Sequence, residues 1–193
     1  MDEGIRPLSV HVASSTGRMG PAGAVRGIAR RLADMQGMFQ DAAATQVMVA
    51  TGNPVVYRYF AADTPDEAPH LRFGTTVVYP GTVGNEFFMT KGHYHAQERT
   101  PEVYFCLRGR GCFLMETRDG STAEEFVEAG QAVYIPPGWA HRSVNVGTEE
   151  FVFFYVCSGG VGHDYATFAD RGFRKIVVER DGKPIVLANP RFA

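Results

Sequence analysis

From Pro54 onward, apolar and polar side chains alternate in short runs: PVVYRYF, LRFGTTVVY, NEFFMT, EVYFCLR, CFLMET, AVYIP, EFVFFYV and KIVVE. These runs are rich in β-branched and aromatic residues, so each reads as a strand with one face turned to an interior. Clusters of Gly, Pro and Asp separate them, in PGTVG, RGRG, RDG, EAG and PPG, and supply the backbone freedom that tight turns need. Short strands at regular spacing predict an all-β antiparallel sandwich or barrel instead of alternating βα units. Before Pro54 the period changes. In AVRGIARRLADMQGMF, residues 24–39, the apolar Val25, Ile28, Leu32, Met35 and Phe39 recur at helical spacing opposite Arg26, Arg30, Arg31 and Asp34. That spacing predicts one amphipathic helix whose apolar side covers part of the β-structure. HDYATFADRGF predicts a helical turn or two before the last strand.

The 193 residues suffice for one sizeable core, and the pattern divides them into an N-terminal helical extension, 1–50, and a β-barrel core, 51–193. A net charge of -2, with no Lys/Arg run, argues against nucleic acid or an anionic membrane as the main partner. No stretch is apolar enough to span a bilayer, and the first twenty residues contain acids and no apolar core, unlike a secretion signal. Cys106, Cys112 and Cys157 are odd in number without CxxC spacing. They fit reduced thiols and a cytoplasmic location.

Two segments carry chemistry. In GHYHAQERTPEVYFCLRGRG, residues 92–111, His93 and His95 would share one face of a strand and could converge on one ion. A histidine pair alone is equally compatible with two solvated side chains. The second segment, GQAVYIPPGWAHRSVN, sets Gly130, Pro136, Gly138, His141 and Asn145 at the spacing G(x5)PxG(x2)H(x3)N. This resembles the second sequence motif of the cupin family at every defined position.

The cupin resemblance implies a double-stranded β-helix, a jelly-roll-like barrel, here with an N-terminal helix and short helical additions. It also implies a metal held by two histidines and a glutamate from the first motif and one histidine from the second. Glu98 follows His95 after two intervening residues and Glu102 after six, and neither gap is the usual one; the motif's closing glycine follows Glu102 after six intervening residues, at Gly109. The resemblance thus assigns His93, His95, Glu102 and His141 as ligands. Three imidazoles and a carboxylate leave two open positions on an octahedral ion, which suits one divalent metal per subunit. Fe2+ comes first, and Mn2+, Ni2+, Co2+ and Zn2+ are compatible.

A narrower resemblance extends over nearly the whole chain. PGTVGNEFFMTKGHYH, Glu102 six residues past His95, the late GHDY, the early RRLADMQGMF and PVVYRYF, and the closing GFRKIVVE and NPRF resemble the cupin-type glucose-6-phosphate isomerases. That family binds an open-chain sugar phosphate beside the metal and interconverts an aldose and a ketose. By resemblance, Tyr57, Thr76, Thr90 and Gly92 bind the substrate's phosphate, while Glu102, Tyr104, His163 and Tyr165 act in catalysis, and the protein is a homodimer. Glu102 would carry a proton between C1 and C2; a direct hydride shift is the other route open to the family. Where archaeal members have a tyrosine near the phosphate, this chain has Cys157, a poorer donor. Outside the isomerases, the same ligands would serve an Fe(II) dioxygenase or a non-catalytic sugar-phosphate-binding cupin. Cys106 reads as core packing, and Lys91 as a solvent-exposed cation or a guide for anions.

Overall fold

A computed structural model describes residues 7–20 and 25–192. Ala24, at the head of the expected helix, lies outside the described residues, as do residues 1–6 of the N-terminal segment and the final alanine. Every predicted run from Pro54 onward forms or contributes to a strand, and all pairings are antiparallel. The larger sheet has six strands in the order Ala132–Ile135, Glu102–Arg108, Phe151–Ser158, Leu71–Val78, Val55–Ala62 and Val25–Arg31. A three-stranded sheet runs Thr122–Glu128, Arg110–Thr117, Trp139–Asn145. The open edge of its last strand is continued by bridges from Met89 to Val144 and from His93 to His141. Between the two sheets lies an apolar core that includes Val78, Phe113, Leu114, Val144, Phe151 and Phe153. This is the all-β cupin fold.

The helix expected at residues 24–39 is corrected. Val25–Arg31 is a strand on the edge of the six-stranded sheet, where Gly27 pairs with Phe60 and Ile28 with Tyr59. Only Leu32–Met35 turns, as a single 3-10 segment that buries Leu32 and Met35 completely. The helical spacing of Leu32, Met35 and Phe39 is therefore real but belongs to a short turn. Upstream, Gly27 weakens a helix, and the free edge of Val55–Ala62 offers a ladder that an isolated turn cannot match. The α-helix begins later, at Ala42–Thr51, where the Asp41 carboxylate accepts a 2.8 Å hydrogen bond from the Ala44 N–H. The late segment forms one 3-10 turn at Ala166–Phe168. No helix among the described residues is long and apolar enough to cross a membrane.

The register of the six-stranded sheet sorts the inward side chains into rows. Glu102 faces Cys157, which faces Arg72; Tyr104 faces Tyr155, which faces Gly74; Cys106 faces Phe153, then Thr76, then Tyr59. Asn145, fully buried, ties the end of the opposite sheet. Its side chain donates to the carbonyls of Val78 and Glu149 and accepts from the Gly147 N–H, each at 2.8 Å. Asn145→Ala should lower stability in chemical denaturation by about 3 kcal/mol, roughly 1 per lost hydrogen bond.

Candidate metal centre and active-site cavity

His93, His95, Glu102 and His141 bring their donor atoms within 4.8 Å of one another. Glu102 opens its strand and points inward, with Oε2 3.1 Å from His95 Nε2 and 3.1 Å from His141 Nε2. The first contact is an aligned hydrogen bond, and the second is close without that alignment. The bridge between His93 and His141, with backbone N–H to carbonyl distances of 3.2 and 3.1 Å, fixes the spacing of those two imidazoles across the strands.

The outer nitrogens decide which nitrogen of each ring is available to an ion. His95 Nδ1 lies 3.0 Å from the Thr100 carbonyl and 2.9 Å from its hydroxyl. That hydroxyl already donates to the Gln97 carbonyl at 2.6 Å, so it accepts from His95 and keeps the ring proton on Nδ1. With Nδ1 so committed, Nε2, which otherwise bonds to Glu102, is the nitrogen that could give up its proton and offer a lone pair to a metal. His141 Nδ1 faces the Trp139 carbonyl at 3.4 Å in the same sense. His93 Nε2 and His141 Nε2 are buried with no hydrogen-bond partner, an arrangement that is costly unless a cation receives their lone pairs. The residues therefore fit a divalent ion.

Electrostatics agree. Burial alone would raise the Glu102 pKa, yet the facing His141 and His95 hold it well below the ordinary carboxylate range. Burial lowers His95, but its hydrogen bond to Glu102 and that residue's charge lift it above its ordinary value. His93 is pushed well down, first by desolvation and then by His141 and His163. Glu98, the rival glutamate, is outside the cluster and pairs with Arg118 at 2.8 Å on the surface.

A cavity of about 190 Å³ opens beside these donors. Among the residues expected to act on substrate, Tyr57, Thr76, Thr90 and Gly92 line it, and so do Tyr104, His163 and Tyr165. The Thr90 hydroxyl accepts from the Ser143 N–H at 3.0 Å, so its own O–H is free to donate into the cavity. Gly92 has φ +71 and packs against Phe173 and Arg142 so closely that a Cβ would collide with the Phe173 ring. Only glycine lets the backbone pack this near the Phe173 ring in such a conformation. Below the same loop, the buried Arg142 donates to the Lys91 carbonyl at 2.8 Å. Tyr57 is pushed up to about 12, first by burial. Tyr104 stacks on Phe113 at 4.8 Å, and its pKa is raised by burial and then by the charge of Glu102.

His163 and Tyr165 form the rim. The His163 ring stands edge-on to His93 at 4.3 Å and stacks with Tyr165 at 5.6 Å, although both side chains are exposed on their outer sides. Desolvation against those rings, followed by the charge of Arg72, lowers His163 to about 4. The imidazole is accordingly neutral at physiological pH.

Sequence reasoning missed Arg72, Ser143, Tyr59 and Tyr155, which share the cavity wall. Arg72 and Tyr155 were legible in principle, because strand alternation puts them on the same faces as Thr76 and Cys157. Ser143 lies two residues beyond His141 on one face. Cys106 is buried, with its thiol against the carbonyl of Arg108. Lys91 reaches the cavity wall. His141→Ala should leave purified protein with only a small fraction of the wild-type metal in elemental analysis, whereas Glu98→Gln should retain it.

The glucose-6-phosphate isomerase (GPI) family profile matches residues 29–189. The glucose-6-phosphate isomerase of Thermococcus litoralis is 49% identical over 84% of this chain and 86% of its own. That of Pyrococcus furiosus is 45% identical over 96% and 97%. A bacterial relative of the same name, from Sinorhizobium medicae, is 36% identical over 92% and 82%. With four candidate metal donors clustered beside a cavity whose wall carries the flanking hydroxyls, and a match that runs almost from end to end, the chain belongs to the glucose-6-phosphate isomerase family.

Proposed function

We propose that the chain is a metal-dependent isomerase that interconverts glucose 6-phosphate and fructose 6-phosphate, in glycolysis and gluconeogenesis. The observation that carries this reading is one cavity with two chemically distinct ends. The three-imidazole, one-carboxylate cluster adjoins the row of Glu102; the Thr76 hydroxyl stands two register rows away on the sheet, and Thr90 faces Ser143, two residues along the strand from His141. A sugar phosphate has the same polarity, a carbonyl at C1 or C2 and a dianion at C6.

His93, His95, Glu102 and His141 would hold a divalent ion, Fe2+ in the first instance, which would supply Lewis-acid polarisation of the substrate's carbonyl. Tyr57, Thr76, Thr90 and the Gly92 N–H hold the phosphate by donating to its oxygens, as a nest of neutral donors does. Lys91 adds a positive charge to that end. Glu102 is the one carboxylate on the cavity wall among the described residues, and it moves the proton between C1 and C2. Tyr104, on the same face two residues on, donates its phenolic proton toward a substrate oxygen, consistent with a hydroxyl held protonated by burial. His163, neutral and at the rim, shuttles a proton to or from the sugar hydroxyls with Tyr165, a step that ring opening requires.

The outer face of the six-stranded sheet supports a homodimer. Val103, Phe105 and Tyr134 lie side by side across neighbouring strands, with exposures of 38%, 41% and 59%, and Phe73 and Phe154 continue the patch, 6.0 Å apart. An apolar face of this kind is characteristic of a protein interface. Three free, buried cysteines support a reducing compartment, the cytoplasm.

Metal-stripped protein reloaded with single divalent ions should convert fructose 6-phosphate to glucose 6-phosphate in a coupled assay, and chelation should abolish turnover. Failure with every ion would overturn the reading. In deuterated water, deuterium should enter the product at the carbon that receives the proton; complete retention of protium would remove Glu102 from its role. Thr90→Ala should raise KM for fructose 6-phosphate about tenfold with metal content unchanged, the scale of one hydrogen bond to a charged group. Phe105→Asp should shift the protein to monomer in light scattering.

A further inference from the structure

The cavity wall carries two permanent cations among the described residues, Lys91 and Arg72. Lys91 adjoins Gly92 at the phosphate end. Arg72 is elsewhere: it shares a strand and a face with Thr76, four residues away, on the order of 13 Å along an extended chain. In the cross-strand rows it falls in line with Cys157 and Glu102, two strands from the carboxylate, or roughly 10 Å between backbones. Only the short side chain of Cys157 stands between them; the register sets this residue in the row of Glu102, two rows from Thr76, although the family resemblance implied a place near the phosphate.

Two further observations aim the guanidinium at that gap. Its one hydrogen bond among the described residues is from Nη1 to Asp66 Oδ2, at 3.1 Å. An arginine fork has five N–H donors, so most remain for another acceptor. Asp66 is itself anchored, because its Oδ1 accepts from the Gly160 N–H at 2.8 Å. The 158–162 loop is held in turn by the Gly159 N–H on the His70 carbonyl at 2.7 Å and the Gln97 N–H on the Val161 carbonyl at 2.9 Å. This loop leads directly into His163 and Tyr165. Arg72 is thus fixed to the element that carries the rim residues, with less than a quarter of its side chain exposed (23%). Its charge bears on His163, Tyr155, Cys157 and Tyr165 alike.

We propose that Arg72 is a specificity-determining residue of the isomerase site, its guanidinium reaching over Cys157 to the carbonyl end of the open-chain sugar, opposite the phosphate. The role rests on the isomerase reading above. Developing negative charge on the C1 and C2 oxygens is what a guanidinium at this end favours, through charge-assisted hydrogen bonds. Asp66 holds the fork in register, and a bulkier residue at 157 would close the gap it uses.

The test compares two probes by calorimetric titration of metal-loaded protein, with equal metal content verified in each variant. One is a pentonate 5-phosphate, whose C1 carboxylate imitates the charge at the carbonyl end; the other is the matching pentitol 5-phosphate, which lacks it. Arg72→Gln should weaken the pentonate about tenfold or more, the scale of a hydrogen bond to an ionised group, and the pentitol by less than about threefold. In the assay it should lower kcat with a smaller change in KM. Equal losses for both probes would assign Arg72 to the phosphate, and no loss for either would reduce it to a structural partner of Asp66; each result overturns the proposal. If Arg72→Gln unfolds early in thermal melts, Arg72→Lys, which keeps the charge and loses the fork, decides by the same comparison. Turnover by the wild-type protein, measured alongside, separates the two conclusions. Turnover without a selective loss overturns the role of Arg72 alone, whereas no turnover overturns the isomerase reading together with it.

Discussion

A carboxylate inside a β-barrel is stable only if positive charge meets it, and Glu102 is almost fully enclosed. Two imidazoles face the same oxygen of this side chain, a third is close by, and two of the three ring nitrogens have no protein partner. Much of the surrounding architecture serves that convergence. The outer nitrogen of His95 is committed to Thr100, whose hydroxyl is committed to Gln97, so the ring cannot turn its lone pair elsewhere. The shell that orients the ligands is as specific as the ligands.

From that centre the sheet register distributes the remaining chemistry. Successive rows step from Glu102 through Tyr104 to Cys106 on one strand, and from Arg72 through Gly74 to Thr76 on another. Gly74 belongs to this order because the Tyr155 hydroxyl lies where a side chain at 74 would project. An antiparallel sheet with one face inward thereby becomes a ruled surface, on which a ligand several ångströms long meets different chemistry at each end.

Much of this was legible in the sequence. Period-two alternation located the strands from Pro54 onward, and the closing glycine of the first motif separated Glu102 from Glu98 despite an unusual gap. What escaped reading has physical causes. Val25–Arg31 imitates a helix because Val25, Ile28 and the following Leu32 fall at i, i+3 and i+7 by composition, while its actual state depends on a sheet edge distant in sequence. The helix at Ala42–Thr51 has apolar residues all round and no amphipathic signal, although Asp41 before three alanines marked its start. Thr122–Glu128, rich in glutamate, has little apolar alternation and is a strand because Arg110–Thr117 pairs along its whole length. Arg72 looked like an ordinary polar residue near a strand's beginning; its place became visible only when Cys157 and Glu102 fell beside it.

The 88–93 segment joins the His141 strand through Phe88 to Asn145, Thr90 to Ser143 and His93 to His141. The positions proposed to hold anion and cation are consequently rungs of one ladder. Whatever stiffens one rung steadies the other, so an ion and a phosphate bound there would each make the other's seat better formed, and by thermodynamic reciprocity the help would be equal in both directions.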